Sequence, residues 1–164
     1  MASIAEVTRI VLIGCGATLF MDIWLVFLKW IGVQTLNFAF IGRWVGHVFH
    51  GRIAHASIGK ASPIAHETWL GWITHYVVGI AFAFLLTSIS GVTWTRAPSP
   101  GIAVLVGVCT VAFPLLVMQP AMGLGFAASK TPTPIKNGLR SLINHSIFGF
   151  GLFLSACLVE WIAR

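Results

Sequence analysis

Four long apolar stretches constrain the fold of this chain more than any other feature. They cover about residues 5–31, 69–90, 101–127 and 139–162. Each is long enough to cross a hydrocarbon layer of about 30 Å, which takes roughly 20 helical residues. The chain is 57% hydrophobic and only 9% charged, which is more apolar than a soluble domain of 164 residues requires. The sequence therefore predicts an all-α polytopic membrane four-helix bundle, with residues 1–164 in a single transmembrane domain.

Basic residues are distributed unevenly between the two sides of this predicted bundle. Arg9, Arg96 and Arg164 lie on one side. The loops 32–68 and 128–138 and their flanks hold the others, which are Lys29, Arg43, Arg52, Lys60, Lys130, Lys136 and Arg140. By the positive-inside rule, these two loops are expected to face the cytoplasm and both termini the periplasm. The expected location is the bacterial inner membrane, with multiple passes.

Membrane lipids are the expected partners of such a chain. A homodimer, or a partner in a membrane complex, is the protein interaction that fits a small bundle of this kind. Nucleic acid is not expected as a partner, because membrane topology already explains the net charge of +6.

A weak internal repeat divides the chain into two halves. The segment 11–14 resembles 104–107, and the pattern I-[TN]-H-x-x-x-G occurs at 73–79 and again at 143–149. Two spans in each half imply a parallel repeat, with a pseudo-twofold axis along the membrane normal. Small residues recur at steps of four around each histidine of the pattern, and such stripes are where membrane helices pack closely. They are Gly71, Gly79 and Ala83 beside His75, and Ser141 and Gly149 beside His145.

A short amphipathic helix is predicted at about 38–50, between the first two spans. Asn37 is the expected N-cap and Gly51 the expected stop. Its apolar residues recur at helical spacing, while Arg43, His47 and His50 share the opposite face. One interpretation is a helix at the membrane interface whose basic residues meet anionic lipid headgroups. The other is a lid whose Arg43 and His47 reach into a site in the bundle.

Polar residues within the apolar spans are predicted to form one layer. His75 and His145 lie about 9 Å from the cytoplasmic ends of their helices, and Asp22 lies about 13 Å in, at 1.5 Å per residue. Gln119 falls at a similar depth if the third span continues to Ala128. An ionisable group at such depth costs on the order of 3 kcal/mol unless it is paired or faces a cavity. The residues predicted to bind a ligand are therefore His75, His145, Asp22, Gln119, Arg43, His47, Arg140, Asn144 and Tyr76. A purely structural role, in which these groups hold the helices together, remains the alternative.

Metal and cofactor chemistry is indicated only by the paired histidines. Cys15, Cys109 and Cys157 lie at unrelated spacings and predict neither disulfides nor a thiolate site. The loop histidines at 47, 50, 55 and 66 lack the spacing of a zinc site. His75 and His145 are the candidate metal ligands, and on separate helices they could hold a metal ion or ligate haem axially. The sequence leaves the cofactor unidentified.

Several segments resemble a family of small four-span bacterial inner-membrane proteins classed as a domain of unknown function. They are Asp22, LNFAFIGRWVGH at 36–47, LGWITHY at 70–76, MQPAMGLGFAAS at 118–129 and RSLINHSIFG at 140–149. The resemblance covers nearly the whole chain. It implies fold and location, and it assigns no activity or catalytic residue.

Three functions are compatible with these features. The first is a ligand- or cofactor-binding site in the cytoplasmic half of the bundle. The second is a proton-coupled or small-solute transporter in which Asp22 and the histidines act as a relay. The third is a non-catalytic membrane scaffold subunit. Neither G-x-S-x-G nor H-E-x-x-H occurs in the sequence, so a hydrolytic enzyme has the least support.

Overall fold

The fold was described from a computed structural model of residues 3–164. These residues are 76% helical and include no strand. The long helices are α1 (Ile4–Trp30), α2 (Phe38–Phe49), α3 (Glu67–Ser90), α4 (Pro100–Ala121) and α5 (Pro134–Ile162). Short 3-10 turns lie at Ile58–Lys60, Val92–Thr95 and Phe126–Ala128. The all-α prediction is therefore confirmed.

Within residues 3–164, four helices are long and apolar enough to cross a membrane: α1, α3, α4 and α5. At most a third of the residues in the apolar part of each helix are buried inside the protein. Side chains such as Ile23, Val26 and Leu105 are more than half exposed. Apolar surface of this extent is typical of helices that cross a membrane, because a water-soluble bundle buries the apolar face of each helix. The predicted four-helix membrane bundle is compatible with this arrangement.

Local side-chain and glycine signals define the ends of α1 and α2. Ser3 and Glu6 form a capping box at the start of α1, in which each side chain bonds the backbone N–H of the other residue. The Asn37 side chain accepts the Ala39 N–H at 3.0 Å and caps α2, as predicted. Gly51 ends α2 with a φ of 79°, a left-handed conformation that glycine adopts without steric cost.

The predicted extension of the third span to 127 is wrong, because α4 ends at Ala121. The Leu124 N–H bonds the Gln119 carbonyl at 2.8 Å, and the Gly123 N–H bonds the Pro120 carbonyl at 3.0 Å. This pair of bonds is a Schellman motif, and Gly123 supplies its left-handed residue with a φ of 87°. Gln119 consequently lies in the last turn of α4, and its estimated depth along a longer helix does not apply.

The chain folds into two compact units. Unit 1 consists of Met1–Gln34, Tyr76–Thr110 and Ile143–Arg164, and unit 2 of Thr35–His75 and Val111–Leu142. The apolar core of unit 1 draws on α1, α3, α4 and α5. Its buried residues are Ile10, Ile13, Ala17, Ala83, Leu86, Trp94, Ala103, Val106, Phe148, Leu152 and Ala156.

Helices cross within unit 1 at glycines. A methyl group added to Gly14 of α1 would collide with Ile80 and approach the Gly79 carbonyl of α3. A methyl group added to Gly107 of α4 would collide with Gly149 of α5. The predicted role of small residues in close packing is therefore confirmed at these positions. The predicted repeat aligns Gly14 with Gly107 and Gly79 with Gly149, so both crossings fall at aligned positions.

Unit 2 packs α2 against the first turns of α3. A methyl group on Gly42 would collide with the Glu67 carbonyl, and one on Gly71 with the Phe38 carbonyl, so the two backbones are in contact. Arg43, which was predicted on the face opposite the apolar residues, is buried. Phe49 from the predicted apolar face is 78% exposed. The glycines decide this orientation, because only a face without side-chain bulk can approach α3 so closely.

Candidate functional site

Asp22 is hydrogen-bonded across a helix interface in unit 1. The Tyr76 hydroxyl of α3 donates to Asp22 Oδ2 of α1 at 3.0 Å. A carboxylate in an apolar helix needs donors of this kind, since lipid supplies none. Both side chains remain partly exposed, so this pair is not sealed inside the packed core.

Two further interhelical hydrogen bonds extend the polar contacts of unit 1. The indole Nε1 of Trp24 donates to Asn144 Oδ1 at 3.0 Å, joining α1 to α5. Thr110 Oγ1 lies 2.8 Å from His145 Nδ1, joining α4 to α5. Together with the Tyr76–Asp22 bond between α3 and α1, these make three separate interhelical hydrogen bonds, which involve all four long apolar helices. We call the set Asp22, Trp24, Tyr76, Thr110, Asn144 and His145 the polar chain.

The Thr110 hydroxyl lies between a backbone carbonyl and the His145 ring. It is within hydrogen-bond distance of both the Gly107 carbonyl and His145 Nδ1. The hydroxyl has a single proton, so which of Thr110 and His145 Nδ1 donates to the other depends on the tautomer of His145.

Asp22, Tyr76, Asn144 and His145 were predicted from the sequence, whereas Trp24 and Thr110 were not. Thr110 continues the small-residue stripe of Ala103 and Gly107 along α4, and this spacing was the available signal. Trp24 carried no comparable signal, because an aromatic residue in a membrane span is ordinarily taken as lipid-facing.

The remaining predicted ligand residues of the spans lie in unit 2. The His75 ring is 4.7 Å from the Phe38 ring and 6.0 Å from the Trp72 ring, between centroids. Gln119 is buried, and its Oε1 has no hydrogen-bond partner among the described residues. Arg140 is half-buried in α5. His75 and His145 thus belong to different units, and neither unit by itself contains both predicted metal ligands.

Arg43 forms a two-pronged ion pair with Glu67 in unit 2. Its Nε donates to Oε2 at 2.8 Å and its Nη2 to Oε1 at 2.7 Å. Its Nη1 donates to the carbonyls of Ile58 and Ala61 at 3.2 and 3.1 Å. The Glu67 hydrogen bonds raise the pKa of Arg43 above its usual value. Arg43 is therefore committed to contacts within the protein, which argues against its predicted contact with lipid headgroups.

A pair of histidines lies beside this ion pair. His47 Nε2 donates to the Ser62 carbonyl at 3.0 Å, so in the neutral ring its Nδ1 accepts from His55 Nε2 at 2.9 Å. His55 Nδ1 is then an acceptor, and it is buried without a partner among residues 3–164. Burial lowers the pKa of His55, as do the charges of Arg52 and His47.

No part of the described chain, residues 3–164, brings three or more metal-ligating side chains together. The histidine-rich loop therefore contributes the His47–His55 pair and not a larger cluster.

Comparison with known proteins identifies the family of the chain. Residues 11–159 match the family described as protein of unknown function, DUF2938. Neither the curated proteins nor the solved structures include a match to this chain. Because the match spans most of the chain, from within α1 to within α5, the chain belongs to the DUF2938 family.

Proposed function

We propose that this protein binds a small polar ligand at the polar chain of unit 1. The observation that supports the proposal is a set of three interhelical hydrogen bonds within unit 1, which join Tyr76 to Asp22, Trp24 to Asn144 and Thr110 to His145. Polar groups within membrane helices are retained where they line a site or hold helices together. Partial exposure of Asp22, Tyr76, Asn144 and His145 favours the first role.

The chemistry of the polar chain favours a hydrogen-bond donor or a cation as the ligand. Asp22 offers carboxylate oxygens, which only accept, and a neutral His145 ring has one acceptor nitrogen. Both are groups to which a ligand with N–H or O–H groups donates. A metal ion or haem is the alternative ligand for the His145 nitrogen.

The first experiment is an analysis of the purified protein in mild detergent. An absorption spectrum and elemental analysis would detect haem or metal, and mass spectrometry of a denaturing extract would detect a co-purified small molecule. We expect a stoichiometric compound that is lost from Tyr76→Phe and His145→Gln and retained in His66→Gln. His66 is the matched control because it is an exposed loop histidine. The same compound, at the same occupancy, in all three variants would contradict the proposal.

A second candidate function, proton-coupled passage of a solute, is favoured by the irregular end of α4. Pro114–Met118 is π-helical, and α4 stops at Ala121 before Gly123 and Gly125, both of which have positive φ. Such interruptions are frequent at functional sites and are tolerated in membranes where they line a cavity. We expect proteoliposomes to acidify under a pH gradient and Asp22→Asn to abolish the flux. Equal flux through folded Asp22→Asn would exclude Asp22 as the proton carrier.

The proposed location is the inner membrane, with loops 32–68 and 128–138 in the cytoplasm. The uneven distribution of basic residues supports this orientation. Fusion of a periplasm-active phosphatase or a cytoplasm-active fluorescent protein to the C-terminus tests it. We expect phosphatase activity without fluorescence. Fluorescence without phosphatase activity would show that the protein has the opposite orientation.

A further inference from the structure

A second polar cluster lies in unit 1, away from the polar chain. Arg9 and Asp22 are about 20 Å apart along α1, at 1.5 Å per residue. The Arg9 guanidinium pairs with Glu160 of α5 and donates from Nη2 to the Thr95 carbonyl at 2.9 Å. These residues lie in the second turn of α1, the last turn of α5 and the connection between α3 and α4. The cluster therefore marks an end of the helical unit, where a membrane helix meets the headgroup layer.

Two hydrogen-bond donors, one in this cluster and one on the residue before Thr95, are buried and have no partner among the described residues. They are Nε of Arg9 and Nε1 of Trp94. Trp94 is only 5% exposed, and it precedes Thr95, whose carbonyl holds the Arg9 guanidinium. Trp94 also shares the apolar core with Ile10, the neighbour of Arg9. A buried donor without an acceptor costs about 1–3 kcal/mol, so an acceptor at this point would be stabilising.

The charge of the cluster indicates which acceptor fits. Glu160 also accepts from Arg164 Nε at 3.2 Å, so one carboxylate faces two guanidinium groups. One net positive charge remains, together with two unused N–H donors. This combination suits an anionic oxygen and not a cation. Arginine binds phosphate strongly because its N–H groups match the geometry of the phosphate oxygens.

We propose that Arg9 and Trp94 form a phosphate-binding site at this end of unit 1. Nε of Arg9 and Nε1 of Trp94 donate to phosphate oxygens, and Arg164 adds positive charge. The position at the helix ends makes a phospholipid headgroup the natural source of the phosphate, with free inorganic phosphate as the other source. Neither residue belongs to the polar chain, so the site is independent of the function proposed above.

The test is a thermal titration of the purified protein in maltoside micelles with three probes. Dioleoylphosphatidylglycerol presents lipid and phosphate, dioleoylglycerol the same lipid tails without phosphate, and inorganic phosphate the anion alone. A ligand that binds only the folded state raises the melting temperature in a saturable manner. We expect a rise with the phospholipid and none with dioleoylglycerol. A rise with inorganic phosphate as well would support the site and identify the free anion as a sufficient ligand.

Trp94→Phe is the decisive variant, because it keeps an aromatic ring in the core and removes the donor together with the smaller ring that carries it. We expect about tenfold weaker phosphate-dependent stabilisation, as for the loss of one hydrogen bond to a charged group. Trp30→Phe, a change at an 81% exposed position of α1, is the matched control and should bind like the wild type. Arg164→Gln should weaken binding through charge alone.

Either of two results would overturn the proposal. One is the absence of saturable stabilisation by both phosphate probes. The other is a Trp94→Phe variant that folds and binds phosphatidylglycerol as tightly as Trp30→Phe. If Trp94→Phe does not fold, Arg9→Lys provides the same comparison, because lysine keeps the charge but has no Nε–H of the guanidinium type.

Discussion

Replacing Glu67 by glutamine should destabilise unit 2 severely, because it leaves the Arg43 guanidinium buried without its counter-charge. The two side chains are only 10% and 16% exposed. Both hydrogen bonds of the ion pair are shorter than 2.9 Å, and because the side chains are mostly buried, little water can replace the lost charge. Removing one member of a buried pair costs about 3–5 kcal/mol. For a chain of this length, that corresponds to a melting temperature lower by roughly 6–20 °C.

The assay combines thermal unfolding in detergent with hydrogen exchange. Arg43 also holds the carbonyls of Ile58 and Ala61, so the amides of loop 52–66 should exchange faster in Glu67→Gln. The double variant Arg43→Met, Glu67→Met carries no buried charge. Its loss of stability should be smaller, by about 1–3 kcal/mol, than the sum of the losses caused by Arg43→Met and Glu67→Met singly.

Arg52→Met is the matched control, since Arg52 is an exposed arginine in the same loop. Its melting temperature should stay within about 2 °C of the wild type, as for most surface substitutions. The reasoning would be refuted if Glu67→Gln had the same melting temperature as the Arg52→Met control and if the amides of loop 52–66 exchanged at the wild-type rate. The ion pair would then be solvated and of little consequence to unit 2.

Two further predictions concern packing and pH. Gly107→Val should lower the melting temperature by several degrees, because its side chain would collide with Gly149. Gly138→Ala should leave the melting temperature unchanged, because a methyl group there meets nothing within 4 Å. Equal melting temperatures of the two variants would contradict the α4–α5 crossing. His55 has a lowered pKa in the folded protein, so the unfolded chain binds its proton more readily, and stability should decrease as the pH falls below about 6.5 toward the folded-state pKa. His55→Gln should reduce this acid sensitivity in melting curves recorded from pH 7.5 to 5, and an unchanged pH profile would show that another group is responsible.

Much of the fold follows from patterns that are local in the chain. The length of an apolar run fixes whether a helix can span a membrane, and the cap at Asn37 depends on residues within one turn. The end of α4 was harder to predict from the sequence. The apolar run continues past Ala121, and hydropathy cannot distinguish a helix from a turn once Gly123 provides a left-handed residue. Gly123 indicated the end of the helix, but the apolar run beyond it led to the prediction of a longer span.

The candidate site was likewise only partly predictable from the sequence. Asp22, Tyr76, Asn144 and His145 could be predicted because a polar side chain in an apolar span must find a partner. The hydrogen-bond partners of these residues could not be predicted, because bonds such as that from Trp24 to Asn144 join residues far apart in sequence. Arg43 shows the same limit, because helical periodicity placed it on the polar face, and the close approach of α2 to α3 at Gly42 and Gly71 buried it against Glu67.

The sequence by itself determined four apolar helices, a capped short helix between the first two, and the polar residues that the spans must accommodate. These properties depend on hydrophobicity and on interactions within a few residues. The tertiary structure alone decided which face of α2 is buried, which residues complete the polar chain and which donors near Arg9 remain unused. Those outcomes depend on backbone approach at glycines and on hydrogen-bond geometry between distant segments, and neither is encoded in any local pattern.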